Sequence, residues 1–281
     1  MKFTKMHGCG NDYVYVDGAK EQISKDKKPE IVRRLSDRHF GIGGDGVIFV
    51  NPSDEADFEM EMYNMDGTRA EMCGNGIRCV AKFVYDKGLT DKTSISIISC
   101  GKVKYIDLTI KEGKVSTVKV NMGSPILRAA DIPVISDKED DEVIAQRIEV
   151  EDKTYEMTCV SMGNPHAVVF MDDVAGLKIE KVGPLFENHL RFPRRTNTEF
   201  VKVIDEENVE MRVWERGTGE TLACGTGACA TVVACVLNGL TKDEVTVKLL
   251  GGCLKIKWDR QKNLIYMTGP AETVFEGEVE I

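Results

Sequence analysis

Apolar and polar positions along the chain change period at predictable places. Around Phe3 and Met6, and again in YVYVD, apolar residues alternate as on a strand, with HGCGND interrupting them and setting Asn11 at a strand edge or turn. PEIVRRLSDR (29–38) has helical spacing with Pro29 in its first turn, and HFGIGGDG then forms a tight glycine loop before the strand VIFV. DFEMEMYN returns to period two and ends at Asn64. MCGNGIRCVAKFVYDKGL follows as a helix from about Gly74 to Lys87, and SISII, VKYIDLTI and VSTVKVNMG are strand-like.

Residues 124–152 read as a crossover, irregular in SPILRAADIPV and acidic in SDKEDDEVIAQ, which marks a solvated surface. TYEMTCVSM and AVVFMDD are then strands interrupted by GNPH, with a helical stretch around GPLFENHL and Asn197 at the mouth of the strand in PRRTNTEFVKVI. NVEMRVWERG leads to ACGTGACATVVACVLNGL, whose residues after Cys224 are apolar on every side, as in a buried central helix that Asn238-Gly239 stops. VTVKLLGGCLKIKW and NLIYMTG close the pattern as strands.

The two buried helices belong to a repeat. Residues 57–106 align without a gap on 208–257, so that Cys224 follows Cys73 by 151 residues and CGNG faces CGTG. A fainter echo pairs Gly10-Asn11 with Gly163-Asn164. The period is far longer than a solenoid unit, so it means two homologous domains, expected over 1–124 and 125–269. The fold class is α/β (α+β): two strand-rich domains, each wrapped around one central helix, related by a pseudo-twofold with the active site in the cleft between them.

Composition narrows the function classes. The 281 residues are 30% charged and 42% hydrophobic with a formal charge of −9, which suits a globular protein and argues against nucleic acid or an anionic membrane as partner. No apolar run has the length of a membrane span and no signal-peptide core stands at the start, so the expected location is the cytoplasm. Nine cysteines without scaffold spacing are expected as reduced thiols, with Cys79, Cys229 and Cys235 as small core residues. Cys9, Cys100, Cys159 and Cys253 have no clear role.

Cys73 and Cys224 stand where a helix begins, so first-turn amides and the positive end of the helix dipole point at each sulfur. That placement is expected to pull the thiol pKa below its usual value of about 8.5. Two such thiols at equivalent places suit inversion at carbon, where one thiolate removes a proton and the other thiol returns one to the opposite face. No lysine and phosphate cradle for pyridoxal phosphate is evident, so no cofactor and no metal is expected.

MCGNGIRC, SMGNPH, NTEFV and ERGTGETLACGTGA, in this order, resemble the diaminopimelate epimerases over the whole chain. The resemblance implies a cofactor-independent isomerase that interconverts LL- and meso-diaminopimelate in lysine and peptidoglycan precursor biosynthesis, a homodimer, and residues 270–281 returning to the first domain. It makes Cys73 and Cys224 the acid/base pair, with Cys224 taking the proton in the LL-to-meso direction. Asn11, Asn64, Asn164 and Asn197 match substrate-binding asparagines, Glu215 and Arg216 a substrate pair, and Gly74, Asn75, Gly225 and Thr226 the helix-terminus amides. His166 and Glu215 are expected to tune the thiols. Some relatives carry a substrate-contacting glutamine where this chain has Gly46. Two rivals stay open: a proline-racemase type of the same architecture, and a redox or metal site without turnover, which closely spaced cysteines would favour and these do not supply.

Overall fold

A computed structural model describes residues 1–70, 73–136 and 141–281. Met72 of the first cysteine motif and residues 137–140 of the acidic segment lie outside the described residues. In chain order the elements begin with β1 (Lys2–Gly8), β2 (Asn11–Asp17), α1 (Lys28–Ser36), β3 (Gly46–Asn51), β4 (Phe58–Asn64) and α2 (Gly74–Asp86). Next come β5 (Ser94–Ser99), β6 (Lys102–Lys111), β7 (Lys114–Gly123), β8 (Gln146–Val150), β9 (Lys153–Ser161) and β10 (Pro165–Phe170). They are followed by α3 (Ile179–Glu187), β11 (Asn197–Asp205), β12 (Asn208–Glu215), β13 (Gly219–Thr221) and α4 (Gly225–Leu237). The last are β14 (Glu244–Leu249), β15 (Gly252–Asp259), β16 (Leu264–Gly269) and β17 (Glu272–Glu278). The chain divides into two compact units, Met1–Val120 with Thr268–Ile281, and Asn121–Met267.

In the first unit β1 pairs antiparallel with β17 on one side and β2 on the other. β2–β3 is parallel, β3–β4 antiparallel, β4–β5 parallel, and β5–β6 and β6–β7 antiparallel. α2 touches β1 and β2 as well as β5 and β6, strands far apart in this ladder, so the sheet curls around the helix. Ile77, Val80, Ala81 and Val84 of α2 are fully buried there. α1 covers the outer face of β2, β3 and β4, with Val32 and Leu35 on Val14, Val16, Val47 and Phe49.

The second unit repeats the ladder: β9–β10 antiparallel, β10–β11 parallel, β11–β12 antiparallel, β12–β14 parallel and β14–β15 antiparallel. β8 adds to β9, and β13 to the far end of β12. α4 packs on β9, β10, β11, β14 and β15, and Ala228, Ala230, Val232, Val233 and Ala234 are buried without exposure. α3 lies on β11, β12 and β13. Its residues stand 151 positions after those of α1, so the repeat extends to a helix pair that shares no obvious sequence.

Three elements differ from the sequence expectation. α3 begins at Ile179, before the expected GPLFENHL, and carries Pro184 inside it. Gly183 lets the helix lie directly on Trp214, where a Cβ would come within 2.4 Å of the indole, and this packing outweighs the break that proline signals. β8 falls within the expected irregular crossover, ordered by its partner β9. The glycine pair in VTVKLLGGCLKIKW turns one apolar run into the hairpin β14–β15.

Candidate active site

Each cysteine of the repeat is the residue just before its central helix. Cys73 is extended (φ −126°, ψ 116°) and its Sγ accepts the Gly76 N–H at 3.2 Å. Cys224 matches it (φ −116°, ψ 111°), with Sγ accepting the Gly227 N–H at 3.4 Å. The sulfur thus fills the place of a capping Ser or Asp oxygen, satisfying an amide that the helix itself leaves without a partner. Glycine at the third helical position is a packing requirement in the second repeat and a close fit in the first. A Cβ at 76 would lie 3.0 Å from Ile48 Cδ1, and one at 227 would lie 2.5 Å from Glu199 Oε1.

Around Cys73 the polar groups are amides and a neutralised charge cluster. The Cys73 thiol donates to Asn11 Oδ1 at 3.1 Å, and Asn11 Nδ2 donates to Asp45 Oδ2 at 2.7 Å. Arg38 bridges Asp45 and Asp12, at 2.9 and 2.7 Å, and Lys5 pairs with Asp12 at 2.5 Å. Burial pushes the Asp12 carboxyl up, but hydrogen bonds and charge from Arg38 and Lys5 outweigh it and hold the group below the usual range. Asn64 sits beside this cluster, since the next residue's N–H, at Met65, bonds Asp45 O at 2.9 Å, and its own side chain donates to Thr68. Asn75 is buried and its Oδ1 accepts from Arg78 at 2.9 Å. Gly46 pairs with Asn64 so closely that a Cβ would lie 2.0 Å from Tyr63 O, which leaves no room for a side chain at this position.

Around Cys224 the groups are acids. Burial pushes this thiol well above its ordinary value, the charges of Glu215 and Glu199 push it further, and the Thr226 hydroxyl and Gly227 N–H only partly offset them. The expectation of a lowered thiol pKa is therefore corrected for Cys224, because a helix end is a weak positive pole compared with two buried carboxylates and lost hydration. Burial raises Glu215 too, and the Thr221 hydroxyl that donates to it, with His166 and Cys224 nearby, only partly offsets this. His166 is completely buried, with Nδ1 2.7 Å from Glu199 Oε1 and Nε2 3.0 Å from Asn164 Oδ1. Asn164 Nδ2 in turn donates to Thr226 Oγ1 at 3.3 Å. Asn197 is buried, donates to Pro165 O at 2.9 Å and accepts the Arg216 N–H at 2.9 Å, while the Arg216 guanidinium is exposed and reaches Arg194 O.

The structure therefore gathers Cys224, Glu215, His166, Asn164, Asn197, Arg216, Gly225 and Thr226 in one unit, and Cys73, Asn11, Asn64, Gly74 and Asn75 in the other. The family model for diaminopimelate epimerase matches residues 3–127 and 158–274 of this chain, spans that hold all of these residues. The chain belongs to the diaminopimelate epimerase family. A diaminopimelate epimerase of Methanococcus maripaludis is 58% identical over 281 residues, the full length of both chains. One of Agathobacter rectalis is 57% identical over 286 aligned positions, again covering all of both.

Among solved structures, a hydroxyproline epimerase from Agrobacterium vitis is similar with a TM-score of 0.71 at 14% identity, over 99% of this chain and 90% of that one. A phenazine biosynthesis protein of the PhzF family from Bacillus anthracis also scores 0.71, at 18% identity, over 100% and 99% of the two chains. At such identities these neighbours show the fold.

Beside these two groups of residues, sequence reasoning missed Glu199, Asp45 and Thr221. Glu199 stands in the quoted motif NTEFV at a core-facing strand position, and a charged residue in a buried run was the available signal. Its Oε2 is buried without a hydrogen-bond partner among the described residues. Among those residues there is also no cluster of His, Cys, Asp and Glu able to hold a metal, and no helix long and apolar enough to cross a membrane.

Proposed function

We propose that this family member interconverts LL- and meso-diaminopimelate, with Cys73 and Cys224 as the acid/base pair and without a cofactor. The observation that carries the reading is the matched pair of thiols, each capping a central helix and each accepting a first-turn amide. In the LL-to-meso direction Glu215 receives the Cys224 proton, the resulting thiolate removes the α-hydrogen, and the Cys73 S–H delivers its proton to the opposite face. The electron pair left on the α-carbon spreads into the substrate carboxylate, whose oxygens take hydrogen bonds from the first-turn amides of Gly74, Asn75, Gly225 and Thr226. After this passage Cys224 holds the substrate's proton, Cys73 is a thiolate and Glu215 carries the proton it took from Cys224, so release of the Glu215 proton to water and uptake of one proton by Cys73 restore the resting state.

Two supports come from local geometry. Glu215 lies near enough to Cys224 for its charge to push the thiol up, and burial raises its own affinity for a proton, so it is matched to a thiol that burial also raises. Arg216 is exposed and held by its backbone on Asn197, so its fork is open to a substrate carboxylate, with Asn11, Asn64, Asn164 and Asn197 as neutral partners for the rest of the molecule. The proposal extends to a homodimer in the cytoplasm.

The test is incubation of the reduced protein with LL-diaminopimelate in heavy water. Optical rotation should approach the LL/meso mixture while deuterium enters the α-carbon. Turnover of proline instead would replace the substrate assignment, and absence of both exchange and rotation would remove the two-thiol reading.

A further inference from the structure

We propose that Asp45 is a positioning residue that holds Cys73 in its proton-donating S–H state, acting through Asn11. The proposal deepens the reading of Cys73 as the donor in the LL-to-meso direction and rests on it for its catalytic meaning.

Donor and acceptor chemistry fixes which way the Asn11 side chain points. A carboxylate only accepts, so the Asn11 side chain 2.7 Å from Asp45 Oδ2 must turn its NH₂ toward it. That leaves the Asn11 carbonyl oxygen facing Cys73 Sγ at 3.1 Å. A carbonyl oxygen cannot donate, so the proton in that contact belongs to the thiol. Ionising Cys73 would set a thiolate against a carbonyl lone pair.

Asp45 is itself fixed at both ends. Its N–H bonds Asp12 O at 2.7 Å and its carbonyl accepts from Met65 N. Oδ1 is held by Arg38 at 2.9 Å, and Oδ2 also accepts the Asp12 N–H at 3.2 Å. The equivalent asparagine of the other repeat is turned the opposite way. His166 Nε2 faces Asn164 Oδ1, so Asn164 presents its NH₂ to Thr226, beside Cys224. The repeat thus supplies two like asparagines, and their second partners decide which end each one shows.

The Asn11 contact works against two groups that favour thiolate, the Gly76 N–H on the same sulfur at 3.2 Å and the Arg78 guanidinium held on Gly74 and Asn75. Asp45 and Asp12 are balanced by Arg38 and Lys5. On the buried side, burial keeps Tyr15 neutral well above its usual range and pushes the Cys79 thiol up to about 12.

The experiment follows alkylation of Cys73 by iodoacetamide without substrate, by peptide mass spectrometry, in wild type, Asp45→Ala and Asp45→Asn. Only thiolate reacts, so at neutral pH Asp45→Ala should react roughly fivefold faster at Cys73, the equilibrium change that one net hydrogen bond supplies. At alkaline pH, where the thiol is ionised in both, the rates should converge. Asp45→Asn should stay near wild type, because an amide oxygen can still accept from Asn11. Buried Cys79 reports on folding and should stay unreactive throughout. An unchanged rate in Asp45→Ala overturns the proposal. So does a rise that persists at alkaline pH, which reports access, or an equal rise in Asp45→Asn, which reports charge, or a parallel rise at Cys79. Because no substrate is present, a wild type without epimerase activity would defeat the functional reading and leave this result standing.

Discussion

Cys73 and Cys224 start from the same backbone and end in different electrostatic surroundings. Both cap a 13-residue helix, both accept an amide three residues on, and both precede a glycine-rich first turn. Cys73 then meets an amide oxygen and a charge-balanced cluster, whereas Cys224 meets Glu215 and Glu199 in a drier place. The helices differ in the same sense. α2 buries Asn75, Arg78 and Lys82 among its apolar residues, while Thr231 is the one polar side chain fully buried in α4. A helix N-terminus therefore does not by itself decide the charge of the thiol that caps it. A carboxylate a few ångströms away in a low-dielectric site outweighs partial charges on peptide groups.

The largest expected effect breaks the comparison outright. Cys73→Ala and Cys224→Ala should each lower epimerisation by about three orders of magnitude, since inversion needs a base and an acid together. Residual deuterium exchange should separate the two: Cys73→Ala should favour the LL isomer and Cys224→Ala the meso isomer at its D centre. Mass detection of α-deuterium in heavy water reads both. Wild-type-like epimerisation in either variant would falsify the two-thiol mechanism.

Glu215→Gln should remove the feature that most distinguishes the Cys224 side. The expected loss in kcat is about a hundredfold, because the thiol loses its proton acceptor. Stability should move the other way. The folded protein keeps the Glu215 proton at pH values where the unfolded chain, titrating near 4.5, has released it. Wild-type stability therefore falls as pH rises from that value through the raised folded pKa. The variant lacks this loss, so its Tm should match wild type in acid and exceed it at neutral pH. Thermal melts at both pH values check the sign, and a lower Tm at neutral pH would contradict it.

Glu199→Gln sharpens the comparison more gently. The amide oxygen can still accept from His166, but the negative charge that pushes Cys224 up is gone. Alkylation of Cys224 at neutral pH should speed up by about threefold. An unchanged rate would mean that Glu215 and burial alone set this thiol.

The smallest effect concerns the matched glycines. Alanine in a helix is favoured over glycine by about 1 kcal/mol. At 76 the added methyl meets the mobile end of Ile48, so Gly76→Ala should be close to neutral. At 227 it collides with the buried Glu199 carboxylate, so Gly227→Ala should destabilise by about 1–3 kcal/mol. Urea midpoints for the two variants would compare them directly, and equal shifts would dissolve the asymmetry.

Sequence alone determined the elements whose signals are local. A capping cysteine with glycines after it, an apolar run and a closing glycine placed α2 and α4 to within a residue, because caps and left-handed stops act over a few neighbours. The constant offset of 151 residues announced a duplicated fold, and alternation placed β4 from Phe58 to Asn64. Elements that exist through a distant partner were not legible. β17 is exposed along most of its length and is a strand because it pairs with β1, more than 260 residues earlier. Chemistry divided in the same way. The thiols and asparagines could be read as residue types in a motif. The meeting of His166 with Glu199 needed the parallel register of β10 and β11, which sets Val168 opposite Glu199 and His166 opposite Asn197, making the two a diagonal pair on one face. The proton affinity of Cys224 was likewise a tertiary property. Dehydration and opposing charge are supplied by segments that the chain brings together only on folding, and no local pattern around the cysteine encodes their strength.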